Sequence, residues 1–330
     1  MTIGSFLRLS AHVQMLPILE GGEETLVGGQ AVMEGVMMRA PHSYCVAVRR
    51  ANGEIVTEES PLPRLSEKYP IFKLPILRGL GTLGHAMTLG VKALRFSMNA
   101  SLADLAKTDG KPDAKPTELP GWVLALNLSF SLLMFIFMYK FVPLFLATRL
   151  GHVLPTSHQR LEINLFDGVI RLALFLVFLY GISLMKDMRR MFQYHGAEHK
   201  VVFNYESGQA VNVENAQKFV TFHPRCGTSF LMVVMLIAIP VYAFLPFDAF
   251  VAKFVARIAL LPLILGGSYE LIRFAAKRQK SLMALLCRPG LWLQRITTKP
   301  PSDDQAAVAI HALQGAMELE KSQGGELVIA

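Results

Sequence analysis

A chain of 330 residues that is 52% hydrophobic and only 18% charged differs from ordinary soluble domains, where about a quarter of residues carry charge. Its mean hydropathy is +0.38 and the apolar residues fall in one block, which excludes a string of soluble domains and points to an integral membrane protein. The net charge of +8 lies mostly beside apolar runs, where it sets topology, and no RNA-binding signature accompanies it, so no nucleic-acid partner is expected.

Residues 1–25 read as a variable leader without the apolar core and small-residue site of a cleaved signal peptide. A small β element of about three strands is expected over 26–60, from LVGGQAVMEGVMMR, YCVAVRR and EIVTEE. Asn52-Gly53 between the last two runs supplies the backbone of a tight hairpin turn. Residues 61–105 contain a glycine-bearing, moderately apolar helix expected to lie on or partly within a bilayer, and 106–120 form a polar, proline-bearing linker.

A four-span membrane domain is expected over 121–270, since a bilayer core of roughly 30 Å needs about 20 apolar residues. The spans are Trp122 to Ala147, Phe166 to Met185, Phe230 to Phe247 and a weaker one from Phe250 to Tyr269. Lys140 stands near a span end and is read as free to snorkel. Asp167, Arg171, Arg257 and Glu270, read with Lys140, could alternatively mark a transport path. Lysines and arginines crowd the 186–229 loop and the segment after the fourth span, which places both termini and that loop in the cytoplasm. Cys45, Cys226 and Cys287 form no CxxC and are read as reduced thiols. Over 271–330 an interfacial apolar segment, broken at Pro289-Gly290, precedes an amphipathic helix starting near Ser302.

The chemistry concentrates in MFQYHGAEHKVVFNYESG. On a helix, His195 and His199 at i and i+4 share a face with Glu198, so two imidazoles can hold one cation beside a carboxylate base. His-x-x-Glu-His is the order of the inverted zinc hydrolases, in which the glutamate acts as base beside the zinc. A third ligand is expected from His223 first, then Glu206, then Cys226. A polar structural network and headgroup binding are the competing readings of this cluster. In HPRCGTSF a helix start beside Arg225 can hold a carboxylate or phosphate. Cys226 there is either a reactive thiol or, more plainly, a small residue at a helix start. Glu34 and Arg39 read as a buried pair or as groups facing the metal loop. The same two readings apply to Arg78 and Glu270.

Together, GGQAVMEGVMMR, VAVRRANGEI, YHGAEHKVVFNYE, HPRCGTSF, SYELIRF and PGLWLQRITT resemble the YqhQ-like family of bacterial membrane proteins, a domain of unknown function described as predicted metal-dependent enzymes. The resemblance runs from about Gly28 to Leu313 and implies a multi-span protein whose motif blocks hold His195, Glu198, His199, Glu206, His223, Arg225 and Cys226. One departure is Lys299-Pro300-Pro301, where the family pattern has a basic residue followed by Glu-Pro; no role for that acidic position is carried over.

The expected function is a membrane-embedded, metal-dependent hydrolase at the cytoplasmic face of the bacterial inner membrane. A divalent ion, zinc foremost, would be its cofactor, with Glu198 as general base and Arg225 steadying an anion. Membrane lipid is an expected partner, and a lipid-linked phosphate or a peptide the expected substrate class. The alternative is a non-enzymatic metal- or lipid-binding protein: a sensor, assembly factor or transporter subunit.

Overall fold

A computed structural model describes residues 27–62, 69–108, 121–153, 159–277 and 282–322. The leader and most of the linker lie outside the described residues. Four antiparallel strands form a meander in chain order: β1 (Gly28–Val32), β2 (Gly35–Arg39), β3 (Ser43–Arg49) and β4 (Ile55–Pro61). The first apolar run, expected as a single strand, splits into two. Glu34 adopts φ 53 and turns the chain, so that Val32 pairs with Gly35. The Asn52-Gly53 turn stands where the sequence put it, with Arg49 paired to Ile55.

Strand periodicity decides what the sheet packs on. Successive side chains point to opposite faces, and here both faces are covered. Val36, Met38, Cys45 and Ala47 enter one core with Tyr194, Val201, Ala309 and Leu313. Met37, Tyr44, Val46 and Val48 enter the other with Leu89 and Ala93. The second core lies against α1 (Leu77–Thr108), and the first lies against α5 (Lys186–Glu206) and α11 (Asp303–Ser322). The C-terminal helix is thus central packing. It begins with a capping box, in which Gln305 N donates to Ser302 Oγ at 3.3 Å and Ser302 N donates to Gln305 Oε1 at 3.0 Å.

The apolar helices follow from α2 (Gly121–Ile136), which passes through a π turn at Phe137–Phe141 into α3 (Val142–Val153), and continue with α4 (Gln159–Ser183). Leu126, Phe130 and Leu133 of α2 and Val169, Val177 and Phe178 of α4 are exposed, the pattern of helices apolar on every side. Two stretches, Gly121–Gly151 and Leu161–Ser183, are long and apolar enough to cross a membrane, and a third arises if a bent pair is taken as one span. That corrects the expected four. Helix α7 (Gly227–Ala243) stops after 17 residues, about 26 Å at 1.5 Å per residue. The fourth expected span breaks into α8 (Phe250–Ala259) and α9 (Leu261–Lys277), bent by 45° beside Pro262, whose ring cannot continue the preceding helix undisturbed. Lys140 does not snorkel; it is buried and donates to Tyr242 Oη at 2.9 Å.

Helix α4 ends at Ser183 and α5 restarts at Lys186 after an extended Met185. Between α5 and α7 lies the short α6 (Val213–Lys218), and α10 (Leu282–Thr297) runs unbroken through Pro289, packed along α7.

Candidate metal centre

Helical spacing does what the sequence implied on α5. The His195 and His199 rings stand 4.5 Å apart between centroids, with Glu198 buried beside them. Each histidine is anchored by its Nδ1. His195 Nδ1 lies 2.8 Å from the Thr297 carbonyl oxygen, and His199 Nδ1 lies 2.5 Å from that of Thr221. A carbonyl oxygen only accepts, so both Nδ1 atoms carry hydrogen and both Nε2 atoms keep a lone pair in the neutral rings.

Those lone pairs meet a sulfur. His195 Nε2 is 3.2 Å from Cys226 Sγ, and one donor atom from each of His195, His199 and Cys226 lies within 4.8 Å of the others. Cys226 is placed as the N-cap of α7, where its Sγ accepts from Thr228 N at 3.5 Å. The turn that delivers it is held by Gln294 of α10. Gln294 Oε1 accepts from His223 N at 2.7 Å, and its Nε2 donates to His223 O at 2.7 Å and Ser229 Oγ at 2.8 Å.

Two close backbone approaches shape the surroundings. A Cβ at Gly196 would run into the Lys299 carbonyl oxygen, so glycine lets the segment after α10 lie against α5 and present Thr297 to His195. On the other side Gly29 of β1 donates its N–H to Glu198, and a Cβ there would stand 2.6 Å from Glu198 Cγ. Burial pushes the Glu198 carboxyl above its ordinary range, against the opposing pull of His195 and His223. Its Oε2 lies 3.4 Å from His199 Nε2. Burial also lowers the pKa of His199, favouring the neutral ring.

The expected third ligand stands differently. His223 packs on Phe203 with ring centroids 4.6 Å apart, its Nδ1 accepts from Arg225 N at 3.3 Å, and its Nε2 faces Glu206 Oε2 at 3.6 Å. Burial pushes its pKa down to about 4. Glu206 is ion-paired to Arg225, so neither is placed as the sequence reading had it, one as a ligand and the other as an open anion site. Glu34 pairs with Arg190 and accepts from Tyr194 Oη at 3.2 Å, tying the β1–β2 turn to α5; Arg39 is not its partner. Arg39 forms no ion pair among the described residues, and burial lowers its pKa. Arg78 and Glu270 do form a pair, joined by Ile76 N donating to Glu270 Oε1 at 3.2 Å. Among the described residues no cysteine is joined in a disulfide. Cys45 is sealed in the sheet core, where burial pushes its thiol up to about 12.

Sequence reasoning missed Gln294, the carbonyls of Thr221 and Thr297, and the role of Gly29. Gln294 and Thr297 do fall within PGLWLQRITT, a run too polar for a purely interfacial segment, and that was the available signal.

Residues 74–319 match the model of a family described as protein of unknown function (DUF1385). The chain is 35% identical over 298 residues to uncharacterized protein YqhQ of Bacillus subtilis (strain 168), covering 89% of this chain and 92% of that protein. No solved structure matches it. With the match spanning the sheet-facing helix, the His/Cys centre and the closing helix, the chain belongs to the DUF1385 family of proteins of unknown function.

Proposed function

We propose that this protein is an inner-membrane, metal-dependent enzyme, a hydrolase at the cytoplasmic face, with His195, His199 and Cys226 holding a divalent ion, zinc foremost. The observation that carries the reading is the pair of Nδ1–H bonds to Thr297 O and Thr221 O, which leaves two imidazole lone pairs directed toward one thiol. Metal-binding histidines are characteristically oriented in this way. Two histidines and one cysteine are ligands of the kind that hold catalytic zinc, and the soft sulfur disfavours magnesium or calcium.

The ion would supply Lewis acidity. Glu198 would take a proton from attacking water, and its raised pKa supports that role by bringing it nearer the range of a neutral-pH base. Arg225, next to Cys226, would steady an anionic group by exchanging its Glu206 partner for it. A lipid-linked phosphate or a peptide at the cytoplasmic leaflet fits the setting.

In this reading Gly121–Gly151 and Leu161–Ser183 cross the membrane, while α7 and the bent α8–α9 pair enter and return to the same side. Both termini then stay cytoplasmic, with the lysines and arginines of α5.

The test uses zinc-loaded, detergent-purified protein with p-nitrophenyl phosphate and a peptide p-nitroanilide as probes. Glu198→Gln should keep its metal and lose at least about 100-fold in hydrolysis. An unchanged rate with metal retained removes Glu198 as base. A second reading, a metal sensor or assembly factor, is favoured by the burial of Glu198 and His199; metal binding without hydrolysis of either probe would select it.

A further inference from the structure

A second polar cluster lies at the other end of α7. Tyr242 is 16 residues beyond Cys226, about 24 Å at helical rise. Around its ring stand Lys140, Arg171 and Arg257, at 4.9, 5.0 and 5.2 Å from the centroid. All three are buried, at 6%, 4% and 0% exposure. Asp167 is the carboxylate among them, bonded to Arg171 on its own helix and 2.7 Å from Arg257 Nη1. Counted formally, three basic groups and one acidic group sum to +2 inside helices whose other faces are Leu, Val and Phe.

The arrangement is built. The π turn at Phe137–Phe141 brings Tyr139 and Lys140 inward at adjacent positions and disturbs the helical bonding of its carbonyls. Tyr139 O accepts from Arg171 Nε at 3.1 Å. Lys140 Nζ donates to Tyr242 Oη, which donates to Arg257 O at 3.0 Å. Arg257 Nη2 reaches Asn164 Oδ1 at 2.6 Å. Among the described residues, Arg171 Nη1 and Arg257 Nε are left buried without an acceptor.

Buried charge of one sign is costly in a low dielectric unless it is paired, and guanidinium forks match the planar or tetrahedral edges of oxyanions. We propose that Lys140, Arg171 and Arg257 form a binding site for a phosphate-class oxyanion within the apolar helices, held by the unpaired Arg171 Nη1 and Arg257 Nε together with Lys140 Nζ. A phosphate dianion cancels the excess charge. The site is separate from the His/Cys centre and, in the proposed topology, lies toward the face away from the cytoplasm. Free phosphate and a lipid headgroup share this chemistry, and the test separates them.

The test titrates full-length, delipidated protein in detergent, with chelator present to silence any metal, against inorganic phosphate and against a short-chain phosphatidate. Saturable binding is expected, weakened at least about 10-fold in Lys140→Met and restored in Lys140→Arg. Binding of free phosphate assigns a soluble anion, and binding of phosphatidate alone assigns a headgroup; either supports the site. Binding of neither probe by the wild-type protein overturns it, whatever the variants do. So does affinity unchanged in a folded Lys140→Met protein.

Discussion

The two ends of α7 are built by the same device and come out opposite. At the Cys226 end, main-chain carbonyls of Thr221 and Thr297 take the Nδ1 hydrogens of two histidines, and lone pairs converge. At the Tyr242 end, a main-chain carbonyl of Tyr139 takes one hydrogen of Arg171, and further buried N–H donors are left without an acceptor. An imidazole that has given its only hydrogen can only accept, whereas a guanidinium that has given one still has four. A backbone carbonyl therefore leaves a cation-seeking group in one case and an anion-seeking group in the other. In the proposed readings the two polar clusters along one helix take ligands of opposite charge.

The largest test of this contrast is at the sulfur. Cys226→Ala should weaken zinc affinity more than about 100-fold, while His223→Ala, outside the converging donors, should cost less than about 10-fold. Competition against a chromogenic chelator reads both, and the reverse order would put His223 in the ligand set. Next comes the brace. Gln294→Ala leaves the His223 N–H and C=O and the Ser229 hydroxyl without their partner, and should cost about 4 kcal/mol of stability by denaturant titration. A loss under 1 kcal/mol would mean that the Cys226 turn holds itself.

The third test is pH. His223 sits at about 4 instead of the ordinary 6.5 because burial disfavours its charge. Between those values the unfolded chain takes up a proton that the folded one refuses. Metal-free protein should therefore lose stability as pH falls from about 6.5 toward 4, by up to about 3 kcal/mol. His223→Gln should flatten that part of the curve; an unaltered slope would assign it to other groups. The smallest effect serves as a control. Ser302→Ala removes half of the capping box on α11 and should cost about 1 kcal/mol, with zinc and phosphate binding both unchanged. A change in either would show that the sheet domain couples to the ends of α7.

The local features were legible in the sequence. His195, Glu198 and His199 needed only helical spacing, the Asn52-Gly53 hairpin only its turn chemistry, and α11 only the Ser302 cap. The rest depended on partners far along the chain. Cys226 takes its position because Gln294, 71 residues from His223, fixes the turn. Glu34 chooses Arg190, 156 residues away, over the Arg39 in its own hairpin. Lys140 looked able to snorkel because nothing in FMYKF announces a π turn. The span count fell short because α7 stops after 17 residues and because the bend beside Pro262 interrupts an apolar run that composition alone reads as continuous.

The most direct test of the metal centre is elemental mass spectrometry on detergent-purified protein, wild type beside the His195→Ala/His199→Ala double variant. Near-stoichiometric zinc, or another divalent transition metal, is expected in the wild type and background levels in the variant. Absence of metal from the wild type even after reconstitution, or equal metal in both proteins, would contradict the metal reading and leave the cluster a polar network bracing α5 against α7.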